Sequence, residues 1–159
     1  MSTFTHLDAE GNPNMVDVGT KKVSRRTARA RSIVVLGDEI MDHLEGQELH
    51  TKKGPVFQTA VLAGIMASKK TGELIPLCHP LGLDNCEVHI QVNEQREVVI
   101  DCTARITAKT GVEMEALTGA TVAALTVYDM CKAFSHDIVI KETKLMEKTG
   151  GKRDFKRPG

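Results

Sequence analysis

An acid and a base three positions apart, Asp129 and Lys132, end a long segment that is otherwise apolar. The segment reads GVEMEALTGATVAALTVYDMCKA over residues 111–133, and no charged residue lies between Glu115 and Asp129. A carboxylate and an ammonium group that are partly shielded from water can exchange protons with a substrate. The pattern therefore indicates general acid–base chemistry at this position. A simple ion pair that stabilises the end of a helix is the alternative.

Two more acids, Glu113 and Glu115, lie at the opposite end of the same segment. Acids are favourable in the first turn of a helix, and this could be their whole purpose. Residues two apart point to different faces of a helix, so only Glu115 shares a face with Asp129. We therefore expect separate roles for the two glutamates.

A histidine stands in the irregular stretch LIPLCHPLGLDN, where Cys78-His79-Pro80 is flanked by apolar residues. Zinc would need two pairs of ligands at short spacing, which this stretch does not offer, so no metal site is expected. A histidine in such a loop either contacts a ligand or is held in place by structural hydrogen bonds. Both interpretations stay open on the sequence alone.

Basic residues beside glycines indicate anion binding at two places. Lys52-Lys53-Gly54 directly precedes a predicted helix, where ammonium and backbone N–H groups can converge on a phosphate. The spacing of a P-loop is absent. Lys148, Lys152 and Arg153 surround Gly150-Gly151 and could fold over an anion. Solvated lysines are the alternative at both places.

The apolar periodicity predicts the elements that must position these residues. Predicted strands cover 28–36, 86–92, 98–106 and 138–145, and predicted helices cover 37–44, 55–70 and 111–133. This order predicts an α+β fold of the ferredoxin-like, split βαβ type, with an antiparallel sheet and helices packed on one face. An RNA-recognition module of the same topology would need exposed aromatic residues on its middle strands, and EVHIQV and VVIDCTARI have none.

The length of 159 residues suits one domain with a substantial core. Both ends are rich in polar and turn-forming residues. We therefore expect a flexible N-terminal arm over 1–25, a single catalytic domain over 26–147 and a mobile basic C-terminal tail over 148–159. The short apolar patch at 15–18 could dock the arm on another surface.

Composition argues against several classes of partner. Basic and acidic residues number 21 each and aromatic residues make up 3%, so nucleic-acid binding is not expected. No uncharged run reaches the roughly 20 residues that a membrane span needs, so no membrane partner is expected. Four cysteines without a C-x-x-C pair, and a polar N-terminus without a signal-peptide pattern, indicate free thiols and a cytoplasmic location.

The polar residues of 111–133 form only a thin stripe along the predicted helix. A helix at a protein surface would show a broad charged face, so this one is expected to be nearly surrounded. A domain this small rarely encloses a helix. We therefore expect a second copy of the chain to cover it in a homo-oligomer.

Five stretches together are similar to one known family. They are MVDV at 15–18, RRTARA at 25–30, KKGPVFQTAVLAGIMASKKTGELIPLCHPL at 52–81, KTGVEMEALTGATVAALTVYDMCKA at 109–133 and KTGGKRDF at 148–155. They resemble the MoaC family of molybdenum cofactor biosynthesis, the cyclic pyranopterin monophosphate synthases, over nearly the whole chain. LIPLCHP and GVEMEALT are long and highly specific motifs.

The resemblance implies an activity and an assembly. The implied enzyme is a lyase that converts 3′,8-cyclo-7,8-dihydroguanosine 5′-triphosphate into cyclic pyranopterin monophosphate and pyrophosphate. Its substrate is derived from GTP by an upstream radical GTP cyclase. The implied assembly is a homohexamer, a trimer of dimers, with active sites at subunit interfaces. No resident cofactor is implied, although Mg²⁺ could accompany the triphosphate.

The resemblance also assigns roles to residues of this chain. Asp129 is the implied acid/base, and Lys132 and Lys53 are the implied catalytic lysines. Lys53 is preferred to Lys52 because it directly precedes Gly54. No metal ligand is implied. The implied substrate contacts are Leu77, Cys78, His79, Glu113, Met114, Glu115, Arg26 and Lys148.

Two other functions stay open. The first is a non-catalytic, nucleotide-sensing ferredoxin-like module, and the second is a purely structural partner of the radical enzyme. A sensor needs contacts to phosphate but no proton relay, so the pair Asp129 and Lys132 separates an enzyme from a sensor.

Overall fold

The computed structural model of the protein describes residues 4–159, and residues 1–3 of the expected arm lie outside that range. The described part of the chain forms four helices and seven strands. The helices are α1 (Asp38–Met41), α2 (Val56–Ser68), α3 (Thr71–Leu74) and α4 (Glu113–Cys131). The strands are β1 (Ser24–Val35), β2 (His50–Thr51), β3 (Gly54–Pro55), β4 (Asn85–Val92), β5 (Val98–Ala108), β6 (Val139–Thr149) and β7 (Phe155–Lys156).

One antiparallel sheet of five strands runs in the order β4-β5-β1-β6-β7, and β2 and β3 form a small separate hairpin. The helix α2 lies between β1 and β4 in the chain, and α4 lies between β5 and β6. These two helices pack against each other and against the sheet. This is the split βαβ arrangement. The expected α+β, ferredoxin-like fold is confirmed.

Small residues bring the helix layer close to the sheet. Side chains of β1 alternate between the core and the outer face, and Ala28 and Ala30 are fully buried. Five of the ten buried residues of α4 are alanine or glycine. A Cβ added to Gly64 of α2 would lie 2.9 Å from the carbonyl oxygen of Gly119 in α4, so the two helices touch backbone to backbone. This contact holds α4, whose two ends carry candidate site residues.

The outer surface of the helix layer carries exposed apolar side chains. Leu125 of α4 is 56% exposed, and Leu62 and Met66 of α2 are 59% and 48% exposed. Within one chain α4 is therefore not surrounded. Exposed apolar side chains on two adjacent helices are typical of a surface that contacts another chain. The expected homo-oligomer stays a prediction.

Local details differ from the sequence-based expectations at three places. The helix predicted over 55–70 was expected to end at residues 71–72, but these residues begin the short helix α3. The buried Thr71 hydroxyl donates to the Ser68 carbonyl, and this hydrogen bond forms the turn between α2 and α3. Part of the loop expected before α2 pairs as β2 and β3. The tail contains β7, which pairs with the end of β6. The division into arm, domain and tail stays a prediction.

No helix between residues 4 and 159 is long and apolar enough to cross a membrane. All four cysteines are free thiols. Cys86 and Cys102 lie on adjacent strands with their Sγ atoms 3.8 Å apart, a contact distance and not a covalent bond.

Candidate active site

Three of the expected catalytic residues meet at the C-terminal end of α4. Lys53 comes from the turn between β2 and β3, and its Nζ lies 3.0 Å from Oδ2 of Asp129. Lys132, one turn further along the helix, places its Nζ 3.1 Å from Oδ1 of the same carboxylate. One carboxylate is therefore shared by two ammonium groups. We call these three residues the lysine–aspartate cluster.

Electrostatics keep the carboxylate of this cluster ionised. Hydrogen bonds from Lys53 and then from Lys132 hold the pKa of Asp129 below its ordinary value of 3.8. The side chains of Lys53, Asp129 and Lys132 are 54%, 52% and 58% exposed. The expected partial desolvation of the pair is therefore weaker in a single chain than the sequence suggested. A charged, half-exposed cluster of this kind is ready to bind an incoming polar group.

A cavity of about 700 Å³ adjoins the lysine–aspartate cluster. Tyr128, Phe134 and His136 supply much of its wall. Phe134 is also stacked on His43, with ring centroids 5.9 Å apart. The cluster therefore faces a space with both charged and aromatic walls, which suits a heterocycle that carries phosphate.

A second cavity, of about 290 Å³, lies at the N-terminal end of α4. We call it the glutamate cavity. It brings together six of the expected substrate contacts from two separate segments of the chain. These are Leu77, Cys78, His79, Glu113, Met114 and Glu115.

Glu115 is the most perturbed acid of the glutamate cavity. Its residue is only 4% exposed. Burial raises the pKa of its carboxyl from 4.5 to about 7, and the neighbouring charge of Glu113 acts in the same direction. Burial and the Glu115 charge also raise the pKa of the Cys78 thiol, which keeps that thiol neutral. Glu115 can therefore change its protonation state near neutral pH, whereas Cys78 is not an activated nucleophile.

Glu113 and Glu115 do have different environments, as their spacing predicted. Glu113 forms an ion pair with Lys148 of β6, in which Nζ and Oε1 are 3.1 Å apart. Glu115 has no ion pair among residues 4–159. Lys148 therefore balances the charge of Glu113, one of two closely spaced acids, which explains its position beside this cavity.

The N-terminal arm forms part of the glutamate cavity, which the sequence patterns did not reveal. Nε2 of His79 lies 2.7 Å from the Val16 carbonyl oxygen, so Nε2 carries the proton and donates. Thr5, His6, Val16, Val18 and Lys21 of the arm line the cavity. The apolar patch at 15–18 was the only available signal, and it does dock on the domain.

Arg26 lies apart from both cavities. Its Nε and Nη2 donate to the carbonyl oxygens of Ala108 and Lys109, each at 3.2 Å. It lines a separate basic cavity together with residues of the arm and of the tail. Its expected contact with the substrate therefore requires a ligand that extends to that side.

The lysine–aspartate cluster and the glutamate cavity do not meet within one chain. Glu115 and Asp129 are separated by most of α4, which runs from Glu113 to Cys131. At 1.5 Å per residue the two positions are about 21 Å apart. The structure thus places most of the expected site residues in two groups, one at each end of α4, and Arg26 in neither.

The fold and these two groups define a ferredoxin-like α+β protein with paired acid–base residues and cation-lined cavities. Comparison with known families is unambiguous, because the model of the MoaC family matches residues 15–151. The chain belongs to the MoaC family.

Curated relatives are similar over almost the whole chain. A "Cyclic pyranopterin monophosphate synthase" of Xanthomonas campestris is 53% identical over 152 residues, which cover 96% of this chain and 92% of that protein. A "Molybdenum cofactor biosynthesis bifunctional protein" of Synechocystis is 53% identical over 95% of this chain. "Molybdenum cofactor biosynthesis protein 1" of Dictyostelium discoideum is 45% identical over 94% of this chain. The chain spans only 45% and 26% of the latter two proteins.

Proposed function

We propose that this protein is a cyclic pyranopterin monophosphate synthase of molybdenum cofactor biosynthesis. It converts 3′,8-cyclo-7,8-dihydroguanosine 5′-triphosphate into cyclic pyranopterin monophosphate and releases pyrophosphate, as a phosphorus–oxygen lyase. Membership of the MoaC family and the name of the Xanthomonas relative support the proposal. The structural observation that carries it is the carboxylate of Asp129 between the ammonium groups of Lys53 and Lys132.

The lysine–aspartate cluster suits the proton transfers of this reaction. Opening an imidazole ring and rebuilding it as a pterin ring moves protons repeatedly between nitrogen and oxygen atoms. An ionised Asp129 can accept a proton, and either ammonium group can donate one to a leaving nitrogen. To close the cyclic phosphate, a substrate hydroxyl oxygen bonds to the α-phosphorus while the bond to the β-phosphate oxygen breaks. The hydroxyl proton passes to a base, and pyrophosphate leaves.

The glutamate cavity suits recognition of the purine-derived part of the substrate. The guanine edge presents N–H donors, and carboxylates accept such donors in pairs. Glu115 is buried and has no ion pair among the described residues, so its oxygens are available to a ligand. Glu113 can take part after exchange with Lys148. Arg26 supplies donors for the triphosphate. Nε2 of His79 can donate to the triphosphate after it exchanges its hydrogen bond to the Val16 carbonyl.

We propose that two copies of the chain build each complete site. The lysine–aspartate cluster of one copy would face the glutamate cavity of another, because the distance of about 21 Å along α4 is too long for one substrate to bridge around the helix. The exposed Leu62, Met66 and Leu125 support burial against a further chain. A homohexamer built as a trimer of dimers repeats such a contact with closed symmetry.

The proposal also covers the source of the substrate, the metal ion and the cellular location. The substrate would come from the upstream radical GTP cyclase. Residues 4–159 hold no group of three or more metal-binding side chains, so we propose that any Mg²⁺ is bound mainly by the triphosphate oxygens. The four free thiols suit a reducing cytoplasm.

The test is to give the purified protein the cyclised dihydro-GTP intermediate alone. Pyrophosphate release is measured with a coupled assay, and the pterin product is identified by mass spectrometry. Stoichiometric formation of both products supports the synthase. Tight binding without turnover would support the nucleotide sensor instead, and neither binding nor turnover would support a structural partner.

A further inference from the structure

The hairpin of β2 and β3 carries Lys53 at its tip, yet the hairpin itself is short. Its ladder has two residue pairs, formed between His50–Thr51 and Gly54–Pro55. A two-stranded ladder is marginally stable in water by itself. The Lys53 side chain is more than half exposed, so packing does little to fix the tip. The position of Lys53 opposite Asp129 therefore depends on the contacts that hold the base of the hairpin.

The carboxylate of Glu48 ties the base of the hairpin to the start of α2. Its Oε1 accepts the N–H groups of Leu49 and Phe57 at 2.8 and 2.7 Å, and its Oε2 accepts the N–H of Gln58 at 3.1 Å. Leu49 and Phe57 are both buried, and Glu48 is half-buried. The chain runs from Glu48 through the hairpin to Phe57, so these bonds close a loop with Lys53 at its tip.

The cap of α2 comes from this distant carboxylate and not from the residue at the N-cap position. Pro55 occupies that position, has no N–H group and provides no side-chain cap. The first three N–H groups of α2 need partners outside the helix. That of Val56 donates to the Leu49 carbonyl at 2.8 Å, and the next two donate to Glu48. Glu48 thus joins the start of a packed helix to the strand that precedes Lys53.

The tip of the hairpin has a defined shape of its own. The Lys53 N–H donates to Oγ1 of Thr51 at 3.1 Å, and Gly54 has φ +111°, which favours glycine. A turn of fixed shape follows its base when the base moves. The base contacts of Glu48 therefore bear on the distance of 3.0 Å between Nζ of Lys53 and Oδ2 of Asp129.

We propose that Glu48 is a positioning residue for Lys53, which anchors the β2–β3 hairpin on α2 and so sets the Lys53 ammonium group against the Asp129 carboxylate. Glu48 does not line the cavity beside the lysine–aspartate cluster, so it acts through Lys53 and not on a ligand. Its effect on turnover rests on the proposed function, whereas its effect on the contact between Lys53 and Asp129 rests on the hydrogen bonds alone. A helix cap that serves stability only is the alternative.

Two substitutions separate positioning from capping. Glu48→Ala removes the carboxylate and leaves two N–H groups of α2 without a partner. Adding Pro55→Ser restores a local cap, because a serine hydroxyl at the N-cap accepts an N–H of the first helical turn. The backbone at residue 55 is already extended, with φ −73° and ψ 124°, as an N-cap serine requires. The serine does not restore the carboxylate link to the hairpin base. Pro55→Ser alone and Glu45→Ala, an exposed acid three residues before Glu48, are the controls.

The first experiment follows the Asp129 carboxyl carbon by NMR titration of protein that carries ¹³C-labelled aspartate. Lys53, ahead of Lys132, holds the pKa of Asp129 below its ordinary value of 3.8. We expect this pKa to rise in Glu48→Ala/Pro55→Ser and to stay at the wild-type value in both controls. An unchanged Asp129 pKa in the folded double variant overturns the proposal. An equal rise in Pro55→Ser alone assigns the shift to residue 55 and overturns it as well.

A milder variant covers the case in which the double variant does not fold. Glu48→Gln keeps one acceptor oxygen for the Leu49 and Phe57 N–H groups, but its amide group then faces the N–H of Gln58, donor against donor. We expect the same direction of change in the Asp129 pKa. If Glu48→Gln folds and titrates like wild type at Asp129, the hairpin is held without Glu48 and the proposal fails.

A double-mutant cycle with Lys53→Ala measures the same link in turnover. We expect Glu48→Gln to lower kcat about tenfold or more in the wild-type background, because a displaced ammonium group transfers protons poorly. In the Lys53→Ala background the loss should be less than about twofold, because the group that Glu48 positions is absent. Equal losses in both backgrounds show a general effect on the fold and overturn the positioning role. If the wild-type protein makes no pyrophosphate from the cyclised intermediate, the proposed function fails and the Asp129 titration still decides the role of Glu48.

Discussion

Lys53 donates to the carboxylate of Asp129 across 76 residues of sequence, with Nζ and Oδ2 3.0 Å apart. The contact ties the β2–β3 turn to the last turn of α4, and Lys132 occupies the other oxygen. The carboxylate thus keeps its charge, and each ammonium group has a fixed position. An exposed ion pair contributes little to stability, so the arrangement is better explained by chemistry than by folding.

The first prediction concerns Lys132. In Lys132→Ala we expect turnover to fall about a hundredfold or more, because a proton donor is lost. Substrate affinity should stay within about tenfold, roughly 1.4 kcal/mol, because Lys53 still neutralises Asp129. Steady-state kinetics and calorimetric binding measure the two quantities. The control is Lys69→Ala. If turnover in Lys69→Ala is as low as in Lys132→Ala, the loss reflects a general effect of charge removal and not the loss of a proton donor.

The second prediction concerns the pH dependence of stability at Glu115. Its carboxyl has pKa about 7 in the folded chain and an ordinary value of 4.5. Below pH 4.5 both states are protonated and burial has no electrostatic cost. Between pH 4.5 and 7 only the unfolded state loses its proton, so stability falls as pH rises, and above about pH 7 the loss is complete. Glu115→Gln removes this loss, which amounts to at most about 3 kcal/mol.

Urea denaturation at pH 4.5 and pH 8 measures the effect. We expect Glu115→Gln to gain stability over wild type at pH 8 and to show little difference at pH 4.5. The control is Glu94→Gln, an exposed acid in the β4–β5 turn, which should show no such trend. Stabilisation of equal size at both pH values would contradict a burial-driven shift of the Glu115 pKa.

The third prediction concerns sites shared between two copies. Lys132→Ala and Glu115→Gln damage opposite ends of α4, so a dimer that contains one copy of each has one undamaged site. Random pairing makes half of the dimers mixed and leaves roughly a quarter of all sites intact. We expect about that share of wild-type activity when the two variants are co-expressed and purified through one tag that both carry.

The control for this experiment pairs Lys132→Ala with Asp129→Asn, two lesions of the same cluster. Each site of a mixed dimer then carries one lesion, so no activity should return. Recovery in neither pairing would indicate that each chain builds its own site, and recovery in both would indicate an unrelated rescue of folding.

Helical spacing predicted that Asp129 and Lys132 lie together, whereas only the family resemblance grouped Lys53 with that pair and Cys78 with Glu115. Asp129 and Lys132 share one helical turn, and Cys78 and Glu115 belong to recognisable motifs. The helical rise also implies the separation of the two halves, about 21 Å. Only the family resemblance suggested that they belong to one site, because periodicity within one chain carries no information about a second copy.

The contacts that the sequence did not predict join segments without a pattern. His79 and Val16 are 63 residues apart, and the bond involves a backbone carbonyl that any residue would supply. The strand β7 has two residues, too few for an alternation to be visible. Arg26 was expected from the resemblance, but the carbonyl oxygens that hold it lie at the end of the neighbouring strand β5 and just after it, a contact that no sequence pattern shows.

The last prediction concerns the helix crossing that holds α4. A Cβ added to Gly119 would overlap the Ser68 hydroxyl and the Cys102 thiol. Overpacking of this kind costs about 1–3 kcal/mol, whereas the helix propensity gained from glycine to alanine is at most about 1 kcal/mol. The clash therefore outweighs the gain, and Gly119→Ala should lower the free energy of unfolding by up to about 2 kcal/mol. A Cβ on Gly82 meets nothing within 4 Å, so Gly82→Ala should be neutral or slightly stabilising.

Equilibrium urea denaturation compares the two alanine variants, and a double variant tests the cause. In Gly119→Ala/Ser68→Ala the hydroxyl that the new methyl group meets is gone, but Ser68 also donates to the Glu115 carbonyl at 2.8 Å. Removing that buried donor costs about 1–3 kcal/mol by itself. The double variant should therefore be more stable than the sum of the two single changes predicts, because the overlap with the hydroxyl is removed while the overlap with the Cys102 thiol stays. Strict additivity would show that the methyl group is accommodated elsewhere and that the close crossing of α2 and α4 does not depend on Gly119.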